Sequence, residues 1–211
     1  MEVGSIEEFY AGTARSEAED MPGGRMEEGR MPGHWLLARL GKRVLRPGGR
    51  SLTRQMLGAP DIGSADSVVE FAPGLGVTAR LALQRCPRSY TGVERDEGAA
   101  GLVRSYLRGS GRRCVVGSAE ATGLEDECAS VVYGEAMLTM QRETQKRRIA
   151  GEAFRLLAPG GRYDIHELYL VPDDLQEGVK GEIRVSLSQT VRVGAPAYRI
   201  GMACLARVGG I

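Results

Sequence analysis

The sequence predicts an α/β protein in which a doubly wound, mostly parallel sheet forms the middle of three αβα layers. From residue 67 onward, short apolar strands alternate with amphipathic helices, which is typical of a parallel sheet covered on both faces. A Pro/Gly turn at residues 73–76 leads straight from the first strand into a helix, so backbone N–H groups can face a ligand there. The 211 residues suffice for one domain with a buried core.

The strands are marked by short runs of β-branched and aromatic residues between turn-forming residues. The five predicted strands span residues 67–71, 89–94, 113–117, 129–133 and 162–167. The helices between them place apolar residues at intervals of three and four. They are predicted over 76–87, from an N-cap at Asp96 to just before Gly109, and over 142–157.

One domain of residues 32–211 is predicted, and it divides into three parts. Residues 32–58 form N-terminal helices, one of which begins at an N-cap on Ser51 and runs through Leu57. Residues 67–167 form the cofactor-binding core. The remaining residues, 168–211, form a C-terminal helical tail.

The first 31 residues are poor in large apolar side chains and are predicted to form a mobile arm. An alternative is a lid that orders over bound ligand, with Phe9 and Tyr10 as contacts. Both interpretations place residues 1–31 outside the packed core.

Composition and charge exclude several classes of partner. The net charge is +1, so no global field recruits nucleic acid or an anionic membrane. The four cysteines are scattered without a CxxC pair, and no signal peptide precedes them, which favours free thiols and a cytoplasmic location. No apolar run approaches the roughly 20 residues that cross a bilayer. No His/Asp/Glu cluster has ligand spacing, so no metal is predicted.

Glycines and polar residues accumulate where the predicted strands end. Because the carboxyl ends of parallel strands meet at one edge of the sheet, these positions define the expected ligand crevice. They are Gly74, Gly76, Glu94, Ser118, Glu120 and Glu135.

Two cofactor types fit such a crevice. Residues 74–79 match the dinucleotide pattern GxGxxA, and Glu94 follows Gly76 by 18 positions, close to the spacing of a ribose-binding acid. An NAD(P)-dependent oxidoreductase is therefore one hypothesis. Against it, Glu70 stands before the turn, where a negative charge opposes a pyrophosphate but favours an ammonium group. In addition, no tyrosine has a lysine four residues later.

Four segments together resemble the class I S-adenosylmethionine-dependent methyltransferases. They are Glu70-Phe-Ala-Pro-Gly-Leu-Gly76, Gly92-Val-Glu94, Gly117-Ser-Ala-Glu120 and Leu156-Leu-Ala-Pro-Gly-Gly161. Because all four motifs have the order and spacing that they have in this family, together they are a more specific sign of the family than any single motif. The resemblance covers roughly Val68 to Glu167 and implies a Rossmann-like methyltransferase fold over residues 32–211.

The resemblance also implies which residues bind the cofactor, S-adenosylmethionine. Its amino-acid end is assigned to the first acid and the glycine loop: Glu70, Phe71, Ala72, Pro73, Gly74 and Gly76. Its ribose is assigned to Glu94 with the adjacent Arg95. Its adenine is assigned to Ser118, Ala119 and Glu120, and its methyl end to Glu135.

Three departures from the family pattern affect these assignments. Ala72 replaces the usual first glycine, which costs little if its φ is negative. Ser118 stands where the family often has an acid facing the adenine, so its hydroxyl or Glu120 would take that contact. The family sheet also ends in an antiparallel hairpin, for which only residues 187–211 remain. Residues 190–200 alternate well enough for a short hairpin around Gly194–Pro196, whereas residues 200–208 have a helical pattern. We favour the second alternative, a sheet without its last strands, which would leave the fifth strand as an edge open to a second subunit.

Methyl transfer requires alignment, exclusion of water and, for many acceptors, a base. Glu135 follows strand four and His166 lies at the carboxyl end of strand five, and these two are the predicted catalytic residues. A hydrogen-bonded structural role is the alternative for His166. Met137 and Met140 are expected either to line an apolar acceptor pocket or to belong to the core.

The predicted function is methyl transfer to a small-molecule acceptor. The Asn/Asp-Pro-Pro-Tyr motif of enzymes that methylate nucleic-acid amines is absent, which, with the balanced charge, disfavours a nucleic-acid acceptor. Besides the oxidoreductase hypothesis, a catalytically silent cofactor-binding protein of the same fold remains an alternative.

Overall fold

The computed structural model describes residues 49–58 and 61–167. Helices and strands alternate along these residues as the sequence predicts. In chain order the described elements are α1 (Gly49–Gly58), β1 (Ser67–Phe71), α2 (Val77–Leu83), β2 (Ser89–Glu94), α3 (Glu97–Tyr106), β3 (Arg112–Val116), β4 (Ala129–Glu135), α4 (Glu143–Leu156) and β5 (Leu157–His166).

The five described strands form one parallel sheet in the order β3-β2-β1-β4-β5. The chain moves outward from β1 through β2 to β3 and then returns across β1 to β4. The strand order therefore reverses between β1 and β4, which is where doubly wound sheets open their ligand crevice. This topology confirms the predicted fold class.

Helices cover both faces of the sheet, which confirms the three predicted layers. On one face, Met56 of α1 and Ala82 of α2 pack in one cluster with apolar residues of β1, β2 and β4. Val103 of α3 is buried on the same face, against Cys114 of β3. On the other face, Ile149 of α4 packs in a larger cluster around the centre of the sheet.

The first two strands have the predicted bounds, whereas the other three differ. β3 begins and ends one residue earlier than expected, and β4 continues two residues further, to Glu135. β5 begins at Leu157 instead of residue 162. Ala129 pairs with Leu157 while Val131 already pairs with Arg162, so residues 158–161, which include Pro159, Gly160 and Gly161, form a bulge within the strand.

Among the helices, the end of α2 and the start of α1 differ most from the prediction. α2 ends at Leu83, four residues before the expected end, and Cys86 already has a φ of +53°, which an α-helix does not allow. α1 begins at Gly49, so Ser51 lies inside the helix instead of capping it. By contrast, Asp96 caps α3 as predicted, because its side chain accepts a hydrogen bond from the Ala99 N–H at 2.8 Å.

The predicted arm of residues 1–31, with Phe9 and Tyr10, lies outside the described residues, as do most of the N-terminal helices. The C-terminal tail of residues 168–211 lies outside them as well. No helix among the described residues is both long and apolar enough to cross a membrane.

No helix lies between β3 and β4, and a buried carboxylate holds this connection to α4. One oxygen of Glu152 accepts hydrogen bonds from the N–H and the hydroxyl of Thr122, at 2.7 and 2.5 Å. Arg155 donates to the same carboxylate at 2.7 and 2.9 Å and also bonds Asp126. The hydrogen bond from Arg155, followed by those from Thr122, lowers the pKa of Glu152 to about 2 although burial opposes the shift.

This lowered pKa predicts acid sensitivity. A carboxylate with a folded-state pKa below its unfolded value stabilises the fold at higher pH, and the contribution disappears as the pH falls from about 4.5 to 2. Because Arg155 is one-third exposed, we expect a loss on the order of 1–2 kcal/mol. Urea unfolding at a series of pH values measures it, and Glu152→Gln should flatten this dependence. The control Glu143→Gln changes an exposed acid of the same helix, and equal pH profiles for the two variants would contradict the assignment.

Candidate functional site

The glycine loop after β1 is held open by backbone conformations that favour glycine. Gly74 and Gly76 have φ values of +53° and +72°. A Cβ atom on Gly76 would lie 2.0 Å from the hydroxyl oxygen of Tyr106, so no other residue fits there. A Cβ on Gly74 would meet nothing closer than 3.9 Å, which leaves its backbone open to a ligand.

The condition under which Ala72 would cost little, a negative φ, is not met. Ala72 has a φ of +52°, in the left-handed region, where the Cβ of an L-residue costs about 1–2 kcal/mol. Its N–H donates to the Val93 carbonyl oxygen at 2.8 Å, which holds the turn against β2. Phe71 and Pro73 on either side are buried, while Ala72 is exposed at the mouth of the loop.

Glu94 lies directly beside the glycine loop. Its Oε2 accepts a hydrogen bond from the Gly74 N–H at 2.9 Å. Its Oε1 accepts from the N–H groups of Arg95 and Asp96, at 2.8 and 3.1 Å. The structure thus brings together two predicted site elements, and the carboxylate is fixed at the end of β2.

The residues predicted to contact adenine lie next to Glu94. The Gly117 N–H donates to the Glu94 carbonyl oxygen at 2.9 Å, so the turn after β3 adjoins the end of β2. Ser118 is half-buried and its hydroxyl accepts from the Glu120 N–H at 3.2 Å, while Ala119 is buried.

The carboxylate of Glu120 is engaged by side chains on two sides. Gln145 donates to it at 3.0 Å, and Arg148 lies 3.5 Å away, both from α4. The largely exposed Arg95 approaches it to 3.9 Å from the other side. An adenine contact by Glu120 would have to share the carboxylate with these three groups, which leaves the hydroxyl of Ser118 as the less occupied of the two predicted partners.

Glu70 is buried beneath the loop and is only 2% exposed. Its Oε2 accepts hydrogen bonds from the hydroxyls of Tyr90 and Tyr133, at 2.6 and 2.7 Å. Burial, and then the charge of Glu70, hold the pKa of both tyrosines well above the usual range. Glu70 thereby joins β1 to β2 and β4, while its contact with a cofactor stays a prediction.

Glu135 and His166, the predicted catalytic residues, touch each other. His166 Nδ1 lies 2.6 Å from Glu135 Oε1, and both side chains are nearly buried. The hydroxyls of Thr53 in α1 and Thr78 in α2 donate to the Glu135 carboxylate at 2.7 and 2.5 Å. The end of β4 is therefore joined to β5 and to the first turn of the helix that follows the glycine loop.

The structure adds Glu167, which the sequence did not single out. Its carboxylate accepts from the N–H groups of Met137 and Leu138, both at 2.6 Å, and from the N–H and hydroxyl of Thr139, at 3.1 and 2.7 Å. It thus fixes the loop after β4. An acid as the last residue of a predicted strand is the only sequence signal for this role.

The two methionines of that loop have different environments. Met137 is buried in the core against Gly134, where a Cβ would lie 3.0 Å from its sulfur, so the core interpretation holds for this residue. Met140 is 51% exposed. Among the described residues no group of three or more His, Cys, Asp or Glu side chains is arranged to hold a metal ion.

Comparisons with known proteins identify relatives of this arrangement. A family model described as a methyltransferase domain matches residues 69–165. An uncharacterized protein of Haemophilus influenzae is 33% identical over 169 residues, which cover 77% of this chain and 67% of that protein. Ribosomal RNA small subunit methyltransferase A of Chlorobium luteolum is 38% identical over 55 residues, or 26% of this chain and 20% of that enzyme.

Solved structures show the same fold. A geranyl diphosphate methyltransferase in complex with GPP and sinefungin has a TM-score of 0.57 at 19% identity, over 66% of this chain and 53% of that one. The YcgJ protein of Bacillus subtilis has a TM-score of 0.53 at 20% identity, over 62% and 54%. The chain spans about half the length of these solved structures.

The buried carboxylate of Glu70 yields a stability prediction. Tyr90→Phe removes one of its two tyrosine donors and should cost about 1–3 kcal/mol, because a buried charge loses a hydrogen bond. Tyr163→Phe is the control, since the Tyr163 hydroxyl makes no hydrogen bond within the described part of the chain. Urea unfolding measures both. Equal losses in the two variants would show that Tyr90 does not support Glu70.

The left-handed Ala72 yields a second prediction. Ala72→Gly should raise the free energy of unfolding by about 0.5–1 kcal/mol, because relief of the strain exceeds the added entropy of the unfolded chain. The control Ala121→Gly, at an exposed residue with negative φ, should lower it instead. Chemical denaturation measures the free energy of unfolding of both variants. A loss of stability in Ala72→Gly as large as in the control would contradict the hypothesis that Ala72 is strained.

Proposed function

This chain belongs to the class I S-adenosylmethionine-dependent methyltransferase family, and we propose that it transfers a methyl group to a small-molecule acceptor. The observation that carries the proposal is the contact between the Glu94 carboxylate and the Gly74 N–H. In this contact the acid that we assign to the ribose lies beside the open glycine loop, at the point where the strand order reverses, which supports the proposal.

The residues present fit the family's cofactor, S-adenosylmethionine. Above Gly74 the backbone is open, so the glycine loop provides a cradle that a side chain would fill. Glu94 is an acceptor that a ribose diol requires, and three backbone N–H groups already hold it in position. We propose that Ala72, Gly74 and Gly76 face the amino-acid end, Glu94 with Arg95 the ribose, and Ser118 with Ala119 the adenine.

When bound, S-adenosylmethionine supplies an electrophilic methyl group on a positively charged sulfur. We assign proton removal from the acceptor to His166. The neighbouring carboxylate of Glu135 favours a proton on Nδ1, which leaves Nε2 of the ring with its lone pair. Glu135 is in turn fixed by Thr53 and Thr78, so the pair is oriented before an acceptor arrives.

The loop after β4 is the proposed acceptor wall. Glu167 fixes the loop through four hydrogen bonds, three of them from backbone N–H groups, and the half-exposed Met140 offers an apolar, adaptable surface. An ordered loop with an apolar side chain suits a small organic acceptor. The near-neutral net charge also supports an acceptor other than nucleic acid.

Location and assembly are part of the proposal. Among the described residues Cys86, Cys114 and Cys128 are free thiols, which supports a reducing cytoplasm. β5 pairs with β4 on one side, and within the described residues no strand pairs with its other side. That edge supports pairing with a second copy of the chain.

Calorimetric titration and a labelled-methyl assay test this function together. We expect binding of S-adenosylmethionine and S-adenosylhomocysteine but not of NAD, and methyl transfer to at least one acceptor in a panel of small molecules with ribosomal RNA as a separate arm. Binding of NAD without binding of S-adenosylmethionine would instead support the NAD(P)-dependent oxidoreductase hypothesis. Binding of the methyl donor without turnover would favour a silent cofactor-binding protein, and methylation of RNA alone would contradict the small-molecule acceptor.

The ribose assignment predicts the effect of one substitution. Glu94→Gln keeps one acceptor oxygen but removes the charge, so S-adenosylhomocysteine should bind about tenfold more weakly through loss of charge-assisted hydrogen bonds. Glu97→Gln changes a largely exposed acid three residues away and should leave the affinity unchanged. Calorimetry measures both, and an unchanged affinity in Glu94→Gln would remove Glu94 from the site.

A further inference from the structure

A second concave site lies at the opposite end of the sheet from the glycine loop. This amino-end groove has a cavity volume of about 290 Å³ at the start of β1, β2 and β3. Besides two valines of β1, its lining consists of Ser89, Thr91, Gly111, Arg112, Arg113 and Cys128. Thr91 lies three residues before Glu94 in β2, so about 10 Å of strand separates the groove from the proposed cofactor site.

The two arginines of the groove carry charges that no carboxylate neutralises within the described residues. Arg113 donates through Nε to the Thr91 hydroxyl at 3.3 Å. Arg112 donates through Nη1 to the Arg108 carbonyl oxygen, also at 3.3 Å. Each guanidinium has five N–H donors, so most of the donors on both side chains remain available.

Two more arginines lie at the same corner. The turn before β3 approaches β2 closely, since a Cβ on Gly111 would lie 3.4 Å from the Arg88 carbonyl oxygen. The Arg88 side chain donates to the Ser67 hydroxyl at 3.1 Å, and Arg108 donates to the carbonyl oxygens of Ser105 and Leu107. In the part of the chain that the structure describes, neither pairs with an acid.

The rest of the lining adds little negative charge. Burial raises the pKa of the Cys128 thiol, with nearby Arg155 and Arg113 partly offsetting the shift and Glu125 adding to it. The thiol therefore stays neutral near pH 7. Glu125 is an acid whose charge reaches this thiol, whereas the cationic Arg112 and Arg113 line the groove and Arg88 and Arg108 lie beside it.

We propose that the amino-end groove binds a phosphate-bearing small molecule. Guanidinium groups match phosphate oxygens with two parallel donors, and the hydroxyls of Ser89 and Thr91 add neutral donors. The volume is at the lower end of ligand pockets, which span roughly 300–1,000 Å³, and suits an oligophosphate or a small phosphorylated metabolite. The site shares no residue with the cofactor site, so it would take a second ligand and does not rest on the proposed function.

Tripolyphosphate and inorganic phosphate are the probes for this groove, in calorimetry and thermal unfolding of the full chain. Tripolyphosphate should bind one site per chain and raise Tm. Its affinity should fall about tenfold or more in the double variant Arg112→Gln/Arg113→Gln. The control Arg54→Gln/Arg147→Gln removes the same charge from exposed positions on α1 and α4 and should stay within about twofold, as expected for a distant surface. Arg113→Lys, which keeps the charge but loses the fork, should bind with intermediate affinity.

Three results would overturn the proposal. One is equal affinity in the native chain and the Arg112→Gln/Arg113→Gln variant, and another is displacement of tripolyphosphate by S-adenosylhomocysteine, which would place it in the cofactor site. The third is binding of a short oligoribonucleotide that depends on Arg112 and Arg113, together with no binding of tripolyphosphate. That result would assign the surface to nucleic acid. Two measurements separate loss of the site from loss of the fold. A folded double variant should still bind S-adenosylhomocysteine, and a folded Arg113→Lys variant should still bind tripolyphosphate.

Discussion

Acids withdrawn from water at the carboxyl end of the sheet must each receive hydrogen-bond donors, and this constraint determines the architecture around the crevice. Glu70 receives two tyrosine hydroxyls from the neighbouring strands. Glu94 receives three backbone N–H groups, one of them from the glycine loop. Glu135 accepts hydrogen bonds from hydroxyl groups of two helices, and Glu167 accepts them from backbone N–H groups of the loop after β4. Each carboxylate thereby ties together segments that are distant in the sequence.

The crevice itself arises from two matching turns. Ala72 and Ala136 each follow one of the two central strands, with φ values of +52° and +53°. The first donates its N–H to the Val93 carbonyl oxygen in β2, and the second donates to that of His166 in β5, both at 2.8 Å. The two loops are therefore drawn apart in opposite directions, away from the boundary between β1 and β4. Left-handed alanines are strained, and such strain is concentrated where proteins bind ligands.

The sequence predicts those elements whose limits are marked by local chemistry. β1 and β2 have their predicted bounds because turn formers flank them, and Asp96 caps its helix because an N-cap needs only a side chain and a nearby N–H. The end of α2 was not predictable, since the residues after Leu83 still suit a helix and only the backbone at Cys86 excludes it. The role of Glu167 was also hidden, because its partners lie about 30 residues earlier in the chain.

The uneven placement of charge has a consequence for how ligands approach. Glu70, Glu94 and Glu135 converge at the carboxyl end of the strands, whereas four arginines that pair with no acid among the described residues lie at the amino end: Arg88, Arg108, Arg112 and Arg113. The three carboxylates therefore give the crevice a negative local potential. Its field attracts a sulfonium cation towards the crevice and attracts the uncharged thioether left after methyl transfer less strongly. The same polarity that hastens arrival of the donor thus favours departure of the spent cofactor.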